Sequence, residues 1–243
     1  MRLGLAIITV SIMAVGTSSA TLAAQCTVPR IAVEYSKIKN QRQLCQKDDE
    51  LPFCEDAEDY EPSMTPTEAS AAWDCLINRY IEREFANTST PSMIAYKKWA
   101  RFSKIPYASA HVNRFVDDTT EQAVYVMNFA NEMAKSYGQY ENSGPMQAGA
   151  VLAKYSMILN GDGGTLELAP VYTMQKIGQD QSPKTRGWRY DLLVPSAMKD
   201  SAKKSDLKFT QEVCASCHME YGTKTDSMLF MPNEVRISDN SGS

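Results

Sequence analysis

The sequence predicts an α+β fold: a mostly antiparallel β-sheet, preceded by a disulfide-stapled helical extension and followed by a C-terminal helix bearing a C-x-x-C-H motif. Three observations predict it. Apolar residues recur at helical spacing in the first part of the chain, as at Ala69, Ala72, Trp73, Leu76, Ile77 and Tyr80. After Pro106 the period becomes that of strands, and the short, turn-rich joins between them favour antiparallel pairing. The six cysteines divide into four near the start of the chain and two near its end.

Residues 1–24 have the make-up of a secretory signal peptide. Arg2 opens it, an apolar run extends from Leu3 to Val15, and small residues lead to Ala23 and Ala24. Cleavage is expected near Ala24, and the mature protein is expected to be periplasmic. The apolar run is too short and interrupted to predict a membrane span, and no later segment is apolar enough for one. The extension, residues 25–89, holds Cys26, Cys45, Cys54 and Cys75. An even number in an oxidising compartment predicts two disulfides, with all three pairings open. Each bridge would contribute about 2–4 kcal/mol. Staples matter here because residues 48–62 are acidic, bear prolines and are poor in aliphatic side chains.

A first helix is expected over residues 32–44. Thr65-Pro66-Thr67-Glu68 announces a second: Thr65 can cap, Pro66 suits the first turn and Glu68 closes a capping box. Cys75 falls on this helix, so one disulfide would tie the extension to it. Thr90-Pro91 repeats the start signal, with Ile94, Ala95, Trp99 and Phe102 on a buried face and Pro106 as the stop. The second unit, residues 90–243, then turns to strands. Ala123 to Met127 reads as one, followed by a short helix from Asn131 to Tyr137. Gly149 to Leu159 reads as another, apolar on both faces except for Lys154 and Ser156, so both faces should be covered. A turn at residues 160–164 follows, then strands over Ala169–Ile177 and Trp188–Val194, then a helix over Lys203–Met219.

That last helix carries Cys214-Ala215-Ser216-Cys217-His218, the attachment pattern of one covalent c-type haem. Each thiol can add to a haem vinyl group, and His218 is then a permanent axial ligand of the iron. A zinc site would need about four N or S ligands. The other histidine is His111, and the remaining cysteines lie far upstream. A thioredoxin-like motif would follow a strand in a βαβ unit, which the pattern lacks. The balance of 25 basic to 29 acidic residues argues against nucleic-acid binding. The position of the motif near the end of the chain bears on the sixth ligand. Met219 adjoins His218, while Met228 and Met231 sit on a short tail. The expectation is an open or weakly ligated iron that binds small molecules such as NO or hydroxylamine. A simple electron carrier remains the alternative if Met228, Met231 or His111 closes the sixth position.

Further pieces accompany the motif. Gly149-Ala150-Val151-Leu152-Ala153-Lys154 comes first, then Met174-Gln175-Lys176 and Gly187-Trp188-Arg189-Tyr190, with Thr225-Asp226 and Met228-Leu229-Phe230 beyond the haem motif. In this order they resemble the cytochrome P-460 family, and the likeness covers residues 90–240. The resemblance implies an exported, usually dimeric, mostly antiparallel β protein with one haem c. It implies a hydroxylamine-oxidising oxidoreductase that passes electrons to a soluble acceptor, or a non-catalytic relative of the cytochrome c-prime-beta type that binds NO. Lys154 matches a lysine bonded to the haem rim in the namesake enzymes. Its own setting is unusual, since a lysine on an apolar face pays desolvation unless paired. Snorkelling to the surface or meeting a carboxylate are the alternatives. Where the enzymes have a distal arginine, Gln122 or Ala123 stands here, and Gln122 is the candidate for the distal pocket. Arg114 could substitute only in another register, and Glu121 and Glu132 are nearby in sequence without an assignable role as distal base.

Overall fold

The computed structural model describes residues 26–47, 52, 54, 56, 61–77, 98–109, 122–194 and 206–237, with side chains of the last segment from residue 211 onward. The signal peptide, the first part of the third expected helix, His111, Arg114 and Glu121 lie outside the described residues. The architecture is α+β, as the sequence predicts, and the sheet is antiparallel throughout.

Two helices of the extension have their full bounds among the described residues. Helix α1, Pro29–Cys45, starts with proline at its first turn and buries only Ile31. Helix α2, Pro66–Leu76, has the expected capping box: the Glu68 N–H donates to Thr65 Oγ1, and Thr65 N–H donates to the Glu68 carboxylate. Ala69, Ala72, Trp73 and Leu76 form its buried face. So weakly amphipathic a helix as α1 needs other anchors. Cys26 is bridged to Cys75, and Cys45 to Cys54. Arg30 donates to both carboxylate oxygens of Glu68, at 2.9 and 2.7 Å, to Glu34 at 2.7 Å and to the Ser63 carbonyl at 2.6 Å.

The strands are β1 (Ala100–Arg101), β2 (Tyr107–Ala108), β3 (Gln122–Ala130), β4 (Val151–Asn160), β5 (Thr165–Leu168), β6 (Val171–Lys176) and β7 (Trp188–Leu193). The order is β1-β3-β4-β6-β7, with β2 also on β3 and β5 also on β4. Between β3 and β4 a 3-10 helix, Glu132–Asn142, replaces the expected short helix, capped by Asn131 Oδ1 on the Ala134 N–H at 3.1 Å. Gly164 ends the β4–β5 turn with φ +60°. Any Cβ there would strike the Val28 backbone, and the Val28 N–H donates to the Gly164 carbonyl at 2.6 Å. The turn thereby pins the extension to the sheet.

Both faces of β4 are covered, as its composition predicts. On one face, Ala153, Tyr155, Met157 and Leu159 pack with Phe129 against Ile31, Trp73 and Leu76 of the extension. Trp73 lies 6.1 Å from Phe129, nearly stacked, and edge-on to Tyr155 at 6.3 Å. On the other, Leu152, Met174, Trp188 and Tyr190 pack with Ala215 and the tail residues Met228, Met231 and Val235. Helix α3, Asp206–Tyr221, lies on this second face against β7.

Two expectations are corrected. The helix expected to run through Phe102 does not: Ala100 and Arg101 are strand, paired with Ala130 and Phe129. The open edge of β3 demands partners for its peptide groups, and the Phe102 N–H supplies one to the Asn128 carbonyl at 3.0 Å. The expected strands also omit one: after the glycine turn comes β5, four residues that pair with the far end of β4.

Candidate functional site

Cys214, Cys217 and His218 lie three and four residues apart on α3, so they share one side of the helix. Gln211, one turn earlier, accepts a hydrogen bond from the Tyr190 N–H at 2.7 Å and docks the helix on β7. Both thiols are free, in contrast to the other four cysteines. Cys214 and His218 open into a pocket between α3 and the sheet with about 550 Å³ of empty space, part of it open to solvent.

The sheet wall of this pocket follows from register. Asn128 of β3, Lys154 of β4 and Tyr172 of β6 stand side by side in one row. Leu152, Met174 and Tyr190 form the adjoining apolar part, and Leu229 enters from the tail. Lys154 is thus brought together with Cys214 and His218, which lie far along the chain from it.

His218 Nδ1 is 2.7 Å from the Ser227 carbonyl. A carbonyl only accepts, so Nδ1 carries the proton and Nε2 keeps its lone pair. Burial pushes the imidazole down to about 4, against the opposing pull of that carbonyl, so the ring is neutral at pH 7. The Tyr190 ring lies 5.1 Å from it. Burial raises the Cys214 thiol to about 11, with Cys217 adding to the shift and Lys154 opposing it. Desolvation pulls Lys154 down to about 8, while the two motif cysteines act in the other direction. No carboxylate pairs with Lys154 among the described residues, and its half-buried side chain lines the pocket wall.

The pocket also holds polar groups that the sequence reading left unassigned. Asn128 Oδ1 accepts from Tyr107 Oη at 2.8 Å, its Nδ2 donates to Tyr137 Oη at 3.3 Å, and Tyr137 Oη donates to the Leu229 carbonyl at 3.1 Å. Tyr190 Oη is buried with no hydrogen-bond partner among the described residues. Asn128 carried a faint signal, as one polar residue in the apolar run of β3. Tyr190 stood within a quoted motif but had no role attached to it.

Other expected residues are not brought here. Gln122 begins β3 and donates to Asn160 Oδ1 at 2.8 Å. It pairs with Asn160, whereas Asn128 pairs with Lys154, so six residues of strand, about 20 Å, separate it from the pocket. The distal position expected for Gln122 is corrected on that ground. Glu132 is exposed and paired with Lys135 at 2.6 Å. Met228 and Met231 are fully buried in the core under α3, and neither lines the pocket. Met219 Sδ accepts from Ser227 Oγ at 3.4 Å. Among the described residues no group of three or more His, Cys, Asp or Glu side chains forms a metal cluster, and no helix is long and apolar enough to cross a membrane. The comparisons leave the site to stand on this geometry: no family model matches the chain, and no curated protein matches it.

Proposed function

We propose that the chain is an exported c-type cytochrome with one covalent haem whose iron binds small nitrogen species such as hydroxylamine or NO for redox chemistry. The observation that carries this reading is the convergence of the Cys214 thiol, a neutral imidazole and a lysine with no carboxylate partner among the described residues on one largely apolar pocket, with the second free thiol, Cys217, on the same helix. The donor set fits the group. Cys214 and Cys217 would hold it through thioether bonds, and His218 would ligate through Nε2, the nitrogen that carries no proton when Nδ1 donates to the Ser227 carbonyl. When bound, the haem supplies a redox-active iron with one open coordination position.

The chain's own residues set the conditions around that position. Leu152 and Met174 exclude water from the slot. Lys154 supplies a cation, or at higher pH a nucleophilic amine, at the sheet wall. The Tyr107–Asn128–Tyr137 relay fixes the Asn128 amide in one orientation. An electron carrier whose iron is closed by Met228 or Met231 is disfavoured, because both side chains are buried in the core. Non-catalytic gas binding is the second reading. The displacement of Gln122 favours it, since the pocket then lacks a polar group from that position. A soluble electron acceptor and a homodimer belong to the proposal through the family resemblance.

Co-expression with the haem-maturation machinery tests the reading. The expected product is coloured, with a mass raised by one haem, and Cys214→Ser/Cys217→Ser removes both. A colourless wild-type product of unmodified mass overturns it. A ferrous Soret band shifted far to the red, abolished by Lys154→Arg, would mark a lysine bond to the macrocycle. A high-spin spectrum without that shift and no turnover of hydroxylamine with an artificial acceptor would select gas binding.

A further inference from the structure

The Ser227 carbonyl that orients His218 sits in an unusual piece of chain. Asp226 and Ser227 are consecutive non-glycine residues with positive φ, +50° and +65°. Left-handed backbone is unfavourable for such residues and persists only where the surroundings hold it. The loop is tight as well: Gly222 N–H donates to the His218 carbonyl at 3.0 Å, and Ser227 N–H donates to the Gly222 carbonyl at 2.8 Å. A Cβ at Gly222 would strike both the His218 carbonyl and the Ser227 backbone.

What holds this conformation is a nearly buried ion pair. Lys176 Nζ donates to Asp226 Oδ1 at 2.7 Å, to Oδ2 at 2.8 Å and to the Arg186 carbonyl at 2.9 Å, which uses all three of its protons. Both side chains are only 12% exposed. Asp226 Oδ2 also accepts from the Met146 N–H at 2.8 Å, and Trp188 Nε1 donates to the Asp226 carbonyl at 2.7 Å. The Lys176 ammonium lies 4.9 Å from the centre of the Trp188 ring. The Asp226 carboxylate and carbonyl are therefore tied to β6, β7 and the segment before β4, and the neighbouring Ser227 carbonyl points at His218 Nδ1.

We infer that Lys176 and Asp226 are positioning residues for the axial ligand: the pair clamps the Ser227 carbonyl onto His218 Nδ1 and so sets the electron donation of Nε2 to the iron. This rests on the haem reading above. A hydrogen bond from Nδ1 to a fixed acceptor raises the basicity of the ligating nitrogen, and an outer partner of this kind tunes the potential of a metal site. Neither Lys176 nor Asp226 lines the pocket.

The test uses matured holoprotein carrying Lys176→Met, which keeps an unbranched stem over Trp188 and removes the charge. The expected result is a ferrous iron–histidine stretching band moved to lower frequency and a raised midpoint potential, both partly restored in Lys176→Arg. Asp226→Asn, which retains an acceptor for the Met146 N–H, should move both readings the same way and serves if the first variant does not fold. Variants that take up haem with band and potential unchanged overturn the clamp while leaving the haem reading intact. A wild-type product without haem overturns both.

Discussion

The Glu68 carboxylate works twice, as the return arm of a capping box and as the partner of Arg30. The Arg30 hydrogen bond, ahead of burial and the Thr65 contacts, sets its acidity and holds the carboxyl down to about 2 from 4.5. A carboxyl depressed in the folded state contributes stability that is whole above the unfolded value and is lost as pH falls through the folded one. Wild-type protein is therefore expected to out-melt Glu68→Gln above pH 4.5, with the margin shrinking between pH 4.5 and 2. Thermal unfolding of both across that range checks it, and a margin that does not change with pH would remove the clasp from the account. Lys154 shows the opposite burden, a cation without a carboxylate partner among the described residues, held in a pocket by the strand that carries it.

The disulfides act on elements. Cys26–Cys75 closes a loop of 49 residues and Cys45–Cys54 one of 9. Chain-entropy scaling assigns the first about 4 kcal/mol and the second about 2.5 kcal/mol. Replacing both cysteines of a pair by serine should therefore cost more for Cys26–Cys75, as read by denaturant unfolding. Equal losses would point to the contacts of α2 as the real anchor. Those contacts are substantial, since Trp73 packs on both Phe129 and Tyr155.

For the molecule as a whole, β4 is the shared centre, with the extension on one face and the thiol-bearing helix on the other. The sheet lies between the two layers, and the pocket lies between the sheet and α3. Protein with both motif cysteines replaced by serine is expected to lose hydrogen-exchange protection first in α3 and the tail, while β3 and β4 near Trp73 keep theirs. Uniform loss across both layers would show that the sheet transmits the change instead of insulating the extension.

Much was readable before any coordinates. The C-x-x-C-H spacing dictates a shared helical side, the Thr65–Glu68 pattern dictates a cap, and the double-faced apolar run of β4 dictates cover on both sides, because each depends on residues close in sequence. The rest depends on what meets across the fold. Ala100 and Arg101 became strand because β3 had an edge to pair. Gln122 left the pocket and Asn128 entered it because strand register, set by long-range pairing, places one beside Asn160 and the other beside Lys154. The hold of Lys176 on Asp226 spans 50 residues, and a backbone carbonyl such as that of Ser227 has no signature in a string of side chains.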